Sequence, residues 1–476
     1  MIRSTLKLFA LKALPASLLL AFAASAGASD LMQAYDLARQ NDPTLSIAET
    51  TRTASQLNVD ASRSALLPRL TGSAGYSRSG SDVTSHGLTE AEPAQPFSRD
   101  GGSHSRGRSL GLDLSQSLYD HGNYTRLRSA RKRAEAGEAE FEAANDGLIV
   151  RVAQGYFDTL TAIDALVFAL AEERAVKRQL DQAEVRFEVG ADAITDVHEA
   201  RARYDSSRAN TIASEVMLED AREALAEILG SRLQGLKGLD ENFQPTPLTP
   251  ASMEDWVALT LDKNPILLAQ DISAQADELD VATARSGHLP SLSASAGWGK
   301  TFGWGGARGP GLVDHTDGDD WNAGISLVVP IFAGFATQTG VKQAINTRDA
   351  RAFQYEQSRR SILRQTRNSF RALQAGISEI EARKQAVVSA QSALEATEAG
   401  FEVGTRTIVD VLLSQQSLFM AQSGYSSARH NFLVNTLRLK QAAGTVELSD
   451  LADVNRYLVS DAEAALHRSA DENAGN

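Results

Sequence analysis

The sequence predicts a mainly helical chain that also carries membrane β-structure: a long α-helical coiled-coil barrel joined to an outer-membrane β-barrel, with four strands per chain. Three observations lead there. The chain repeats itself once at a spacing of about 220 residues. Each repeat holds one uninterrupted helical run of about 65 residues, too long for a compact domain. Each also holds a pair of segments whose apolar residues alternate with small polar ones, the signature of a strand with two unlike faces.

The N-terminus comes first. Arg3, Lys7 and Lys12 precede an apolar core from Leu14 to Phe22, and Ala26-Gly27-Ala28 offers a small-residue cleavage site, so residues 1–28 read as a removable export signal. The apolar run is too short to anchor the chain as a spanning helix. Removing those three basic residues takes the formal net charge from −13 to −16. That balance argues against nucleic acid as a partner and suits a lumen or surface presenting carboxylates. There is no cysteine, hence neither a disulfide framework nor a thiolate metal site. No later stretch is apolar enough for a transmembrane helix, so a membrane location requires closed β-structure.

The repeat organises the rest: residues 29–230 and 253–444 form two copies, joined by a linker or equatorial segment at 231–252 and followed by a C-terminal equatorial segment and disordered tail at 445–476. Asn41-Asp42-Pro43 aligns with Lys263-Asn264-Pro265, and Leu67-Pro68-Arg69-Leu70 with Leu289-Pro290-Ser291-Leu292, both at a shift of 222. Later the shift is 214, where Phe187-Glu188-Val189-Gly190 meets Phe401-Glu402-Val403-Gly404. Two copies at this period make a duplicated half-molecule, unlike the short units of a solenoid.

In each copy a helix opens at Pro43 or Pro265 and stops near Pro68 or Pro290. Hairpins then occupy about 69–119 and 291–331. Leu70, Gly72, Ala74 and Tyr76 alternate with Thr71, Ser73, Gly75 and Ser77, and the other three segments behave alike. Trp298, Trp304 and Trp321 fall in or beside these segments, as an interfacial girdle requires. The Gly-, Ser- and Asp-rich stretches at roughly 83–107 and 305–320 read as exposed loops. Four strands are too few for a soluble sandwich or for a membrane barrel of about eight or more, so strands are pooled between subunits as a dimer, trimer or tetramer.

The long helices run from about Tyr124 to Glu188 and Ala336 to Glu402 without proline. Val176, Leu180, Ala183 and Phe187, matched by Ala390, Leu394, Thr397 and Phe401, step in the four–three pattern of a coiled coil. The shorter helices at about 265–288 and 408–443 together match one rod in length, so two stacked short helices lie beside each long one. Short turns at 189–194 and 403–407 reverse the chain at the far tip.

Gly400–Leu412 reads GFEVGTRTIVDVL, followed by Arg429-His430-Asn431-Phe432-Leu433 and Gly444-Thr445. With Leu31-Met32-Gln33-Ala34-Tyr35 and Ala193-Ile194-Thr195-Asp196-Val197, this resembles the TolC family of outer-membrane efflux and type I secretion channels across essentially the whole mature chain. The resemblance implies a homotrimer in the outer membrane of a Gram-negative bacterium, with a shared twelve-stranded barrel set in outer-membrane lipid and a twelve-helix tunnel in the periplasm. It implies docking to a periplasmic adaptor (a membrane fusion protein) and to an inner-membrane RND, ABC or MFS transporter, with no cofactor. By the same resemblance Thr195 and Asp196 are link partners of Arg406, and Gln179 and Glu398 form a second contact. Asp410 contributes to a carboxylate ring at the narrowest point. Val189, Gly190, Val403, Gly404 and Thr405 form the adaptor-contact tip. Two positions depart from the family: Phe401 stands where it has a tyrosine, and Leu413 where it has a second aspartate.

Read without the resemblance, Asp196 and Asp410 stabilise helix starts, Arg406 is a solvated turn residue, and the tip glycines end helices. An enzyme is disfavoured: the eight histidines are scattered, and neither HExxH, a phosphate loop nor a nucleophile elbow occurs. The alternatives are a narrow-specificity export duct of the same superfamily, for example for metal ions, and a periplasmic coiled-coil adaptor.

Overall fold

A computed structural model describes residues 28–88, 96–190, 193–233, 235–307, 313–464 and 466. The expected export signal lies outside the described residues. In chain order the elements are α1 (Leu31–Asn41), α2 (Pro43–Ser64), β1 (Arg69–Leu88), β2 (Pro96–Tyr119), α3 (His121–Glu188), α4 (Ile194–Leu229) and β3 (Lys237–Leu239). Then come α5 (Met253–Lys263), α6 (Pro265–Arg285), β4 (Ser291–Ala307), β5 (Val313–Val328), α7 (Ala336–Glu402), α8 (Ile408–Ala442), α9 (Leu448–Asn455) and β6 (Leu458–Asp461).

The two rods are α3 and α7, of 68 and 67 residues. At 1.5 Å per residue each is about 100 Å long. Both begin beside the sheet, so their C-terminal ends lie far from it. In the first copy α2 and α4 pack along α3; in the second α6 and α8 pack along α7, while α6 and α8 also pack on α3.

Polar joints align the short helices end to end. Asp42 caps α2 by accepting from Leu45 N at 2.8 Å and pairs with Arg151 of α3 at 2.7 Å. Its repeat partner Asn264 caps α6 and donates Nδ2–H to the Ala442 carbonyl of α8 at 2.9 Å. The last turn of α8 closes on Gly444, whose φ is 67°. A Cβ there would come within 2.3 Å of the Lys263 carbonyl, so glycine alone fits.

The largest core lies around the middle of the rods. Tyr156, Phe157, Leu160 and Ile163 of α3 meet Leu433 and Leu437 of α8, under a belt made by α1, α9 and the β3–β6 pair. The sequence places equatorial segments at 231–252 and 445–476, but the belt's individual elements were not read from it, because they are too short to express a period: α9 has 8 residues and β3 has 3.

The sheet has the antiparallel order β1–β2–β4–β5, leaving one edge of β1 and one of β5 unpaired among the described residues. Residues paired across it share a face. Leu70, Leu114, Ala296 and Ala323 form one row, and Gly72, Leu112, Trp298 and Trp321 the next. This face is apolar and exposed, Trp321 at 78 % and Ile325 at 72 %. The opposite face carries Ser73, Gly75, Gly111, Ser115, Ser295 and Gly324. There serine faces glycine: a Cβ at Gly75 or Gly111 would lie 2.7 Å from the hydroxyl of Ser109 or Ser73.

One expectation is corrected. The stretches at 83–107 and 305–320 are mostly strand, since β1 runs to Leu88, β2 starts at Pro96, β4 reaches Ala307 and β5 starts at Val313. Glycine and serine read as loop formers, yet between two strands in register each small residue accommodates its cross-strand neighbour. No described helix is long and apolar enough to cross a membrane.

Candidate functional site

The tip is made by the two helical turns at the ends of the rods. Val189 and Val403 cap α3 and α7, and Gly190 and Gly404 follow at φ 76° and 79°. Only glycine takes that left-handed geometry without strain. Nothing lies within 4 Å of a Cβ at either glycine. Val189 and Val403 are 75 % and 74 % exposed, so the two turns present matching apolar knuckles.

The second turn is the more elaborate. The Gly400 carbonyl accepts from Thr405 N at 2.8 Å, Arg406 N at 3.2 Å and Thr405 Oγ1 at 3.0 Å. The Arg406 side chain folds back over Gly400, where a Cβ would lie 2.7 Å from its Cγ. Thr407 and Asp410 then close a reciprocal cap on α8. Asp410 N donates to Thr407 Oγ1 at 3.3 Å, while Thr407 N and Oγ1 each donate to Asp410 Oδ2 at 2.9 Å. These hydrogen bonds, led by the Thr407 backbone N–H and helped by the Arg406 charge, hold the Asp410 carboxyl below the usual carboxylate range. The Thr-x-x-Asp spacing at 407–410 was a legible sign of this cap.

The first turn lacks such a cap. Ala193 makes no side-chain bond to α4, although Asp196 stands in its first turn. Thr195 is exposed, and no described hydrogen bond or ion pair within the chain joins Thr195 or Asp196 to Arg406. Nor does one join Gln179 to Glu398; Gln179 Oε1 is buried without a partner. Leu413 is 52 % exposed.

Phe401 sits between the two helical pairs. It packs on the α3–α4–α8 cluster of Val176, Leu180, Val197 and Leu412, and on the α7–α8 cluster of Leu394, Val411 and Leu418. The Arg186 guanidinium lies 5.1 Å from the centre of its ring. Arg203 of α4 hydrogen-bonds to Gln416 of α8. Neither arginine was singled out from the sequence, since both partners are distant in the chain.

Away from the tip, α3 and α8 are joined through buried polar groups. His430 is 3 % exposed, and its Nδ1 lies 2.9 Å from Thr161 Oγ1. Burial, with the neighbouring Arg429 charge, pushes its pKa down to about 3. Arg429 Nη1 donates to the carbonyls of Asp240 and Glu241, both at 3.2 Å. Ser426 Oγ donates to Asp164, whose carboxyl is pushed up by burial and drawn back by that bond.

Each copy is a helix–hairpin–rod–helix unit, and together they make a sheet with an exposed apolar face at one end and two glycine-ended helical turns at the other. The sequence profile described as outer membrane efflux protein matches residues 34–231 and 256–445, one segment per copy. The chain belongs to the outer membrane efflux protein family. It is 37 % identical over 434 residues to outer membrane protein TolC of Vibrio cholerae serotype O1, covering 90 % of this chain and 94 % of that one. It is 30 % identical to the alkaline protease secretion protein AprF of Pseudomonas aeruginosa, covering 92 % and 89 %. The solved structure of CusC superposes with a TM-score of 0.71 at 20 % identity, over 88 % of this chain and 93 % of that one, which shows the fold. The protein is an outer-membrane exit duct of the efflux and type I secretion class.

Proposed function

We propose that three copies of this chain close one duct, gated at the helical tip and opened by a periplasmic adaptor and an inner-membrane pump. The observation that carries the reading is the pair of edges on β1 and β5, unpaired among the described residues, of a sheet whose apolar face is exposed. In lipid an open edge leaves backbone N–H and C=O groups unsatisfied at several kcal/mol each, so the sheet must close. Joining β5 of one copy to β1 of the next gives twelve strands, and four helices at each level give twelve around the tunnel. The adaptor meets the knuckles at Val189, Gly190, Val403, Gly404 and Thr405, where exposed valines offer an apolar contact.

Gating follows from the same geometry. Arg406 has no carboxylate partner in its own chain among the described ion pairs, whereas Asp196 and Thr195 stand at the other knuckle. Links from Arg406 to Asp196 and Thr195, and between Gln179 and Glu398, therefore run between neighbouring helical pairs. An exposed pair of this kind is worth about 0–1 kcal/mol. Summed around a trimer, such pairs bias a closed–open equilibrium by a few kcal/mol, which the adaptor's differential binding overcomes. Phe401 replaces a hydroxyl-dependent link by packing and by its contact with Arg186. Three Asp410 carboxylates attract cations at the constriction. With Leu413 one turn on, there is a single acidic ring.

Purified protein is expected to run as a detergent-stable, heat-modifiable oligomer of three chains and to open cation-selective channels in planar bilayers. Recovery as a soluble periplasmic monomer without channel activity would overturn the reading.

A further inference from the structure

The apolar face of the sheet ends in a basic, aromatic rim. Above the Trp298–Trp321 row, outward-facing positions bring together Tyr76, Arg78, Arg106, Arg108, Phe302 and Trp304 on β1, β2 and β4. The register sets Arg78 directly opposite Arg106, and Tyr76 opposite Arg108, which pairs in turn with Phe302. The Arg108 guanidinium lies 5.4 Å from the centre of the Trp304 ring. A groove of about 740 Å³ runs between Tyr76, Arg108, Phe302 and Trp304.

Three features of this rim call for an anion from outside the protein. Like charges directly opposite across two strands are destabilising, yet none of the described ion pairs gives Arg78, Arg106 or Arg108 a carboxylate. The nearby Asp317 and Asp319 are taken by Lys300, at 3.8 and 3.3 Å. Asp82 lies two outward positions beyond Arg78 on the same strand. These three arginines, without an ion pair among the described residues, stand on a chain whose net charge is −13.

Its height identifies the partner. From Leu292 to Phe302 the outward face advances ten residues, about 33 Å along the strand and, with a barrel tilt near 40°, about 25 Å along the membrane normal. That is the thickness of an apolar band, with the Lys300–Asp319 ion pair at its upper border one row below Phe302. Arginine on a lipid-facing position costs about 2–4 kcal/mol at the midplane and little at the interface. Rows at and beyond Phe302 therefore stand among outer-leaflet headgroups. Guanidinium groups bind phosphate through paired, charge-assisted hydrogen bonds, and the aromatic rings supply the amphipathic contact of an interface.

We propose that Arg78, Arg106 and Arg108, framed by Tyr76, Phe302 and Trp304, form a binding site for the phosphorylated glycolipid headgroup of the outer leaflet. The proposal rests on the outer-membrane placement of the sheet and is independent of how the tip is gated.

The test uses the full protein in detergent, with bound lipid counted by native mass spectrometry during titration with bis-phosphorylated lipid A or its dephosphorylated form. Losing one charge-assisted contact weakens binding by about tenfold or more. The unmodified protein is expected to bind the phosphorylated lipid at least about tenfold more tightly than the dephosphorylated one. R78Q/R106Q/R108Q is expected to lose that preference, and Lys300→Gln to keep it. Equal affinity for the two lipids, or an unchanged preference in the triple variant, would overturn the proposal. So would a triple variant whose oligomer melts earlier while its lipid preference persists, which would assign the arginines to carboxylates of a neighbouring copy. Should the triple variant fail to assemble, Arg108→Gln and the headgroup comparison on the unmodified protein decide.

Discussion

Asp410 serves two ends with one carboxylate. Its Oδ2 completes the cap on α8, and in the proposed gate its charge is what the constriction would offer to a passing ion. A depressed folded pKa means that the ionised form persists as pH falls through the usual carboxylate range and is lost only below it. Cation selectivity is therefore expected to hold from neutral pH to about pH 4 and to fall in Asp410→Asn at every pH, as bilayer reversal potentials would register. Selectivity unchanged in that variant would remove Asp410 from the constriction. His430 has the opposite chemistry and the same sign. Its neutral form is held by burial beside Arg429, with pKa about 3, while the unfolded imidazole protonates near 6.5. Stability is present above pH 6.5 and declines by about 1.4 kcal/mol per unit as pH falls toward 3. A His430→Gln variant should flatten that decline in chemical denaturation curves; an undiminished slope would place the sensitivity elsewhere.

At the scale of elements, the two turns differ more in capping than in shape. Both end a rod on a left-handed glycine, but only α8 begins with a reciprocal Thr407–Asp410 cap. Removing the Thr407 hydroxyl costs about 0.5–2 kcal/mol at the start of that helix. Thr407→Ala is expected to speed hydrogen exchange over residues 408–412 while protection around Leu437 is unchanged. Unaltered exchange at 408–412 would show that packing at Ile408 and Leu412, rather than the cap, fixes the start of α8. The rods, hairpins and turns were legible because their periods run over many residues and proline or glycine marks their ends. The equatorial segments at 231–252 and 445–476 were placed, but the short elements of the belt, α1, α9, β3 and β6, were hidden by brevity. The outer halves of the strands were misread because Gly and Ser signal loops locally, while Gly107, facing Ser77, shows them fitting one another across a ladder. At the tip, the residues Arg406, Asp196 and Asp410 followed from sequence likeness. The contact of Arg186 with Phe401 did not, because it joins positions 215 apart by packing alone.

On the scale of the whole molecule, duplication leaves every function half-made in one chain. Among the described residues the sheet stops with two open edges, the rods stop with exposed valine knuckles, and Arg406 makes no ion pair with a carboxylate of its own chain. In the proposed trimer, copies assembled in a ring would supply the missing partners at all three levels: strand to strand, helix pair to helix pair, and arginine to aspartate. On that proposal the imperfection of the repeat marks the gate, since Gly404-Thr405-Arg406-Thr407 replaces Gly190-Ala191-Asp192-Ala193 at the tip. Single-channel conductance of Arg406→Ala in planar bilayers tests this most directly. The account predicts a conductance raised above that of the unmodified protein, with the oligomer intact. A conductance equal to that of the unmodified protein would contradict it.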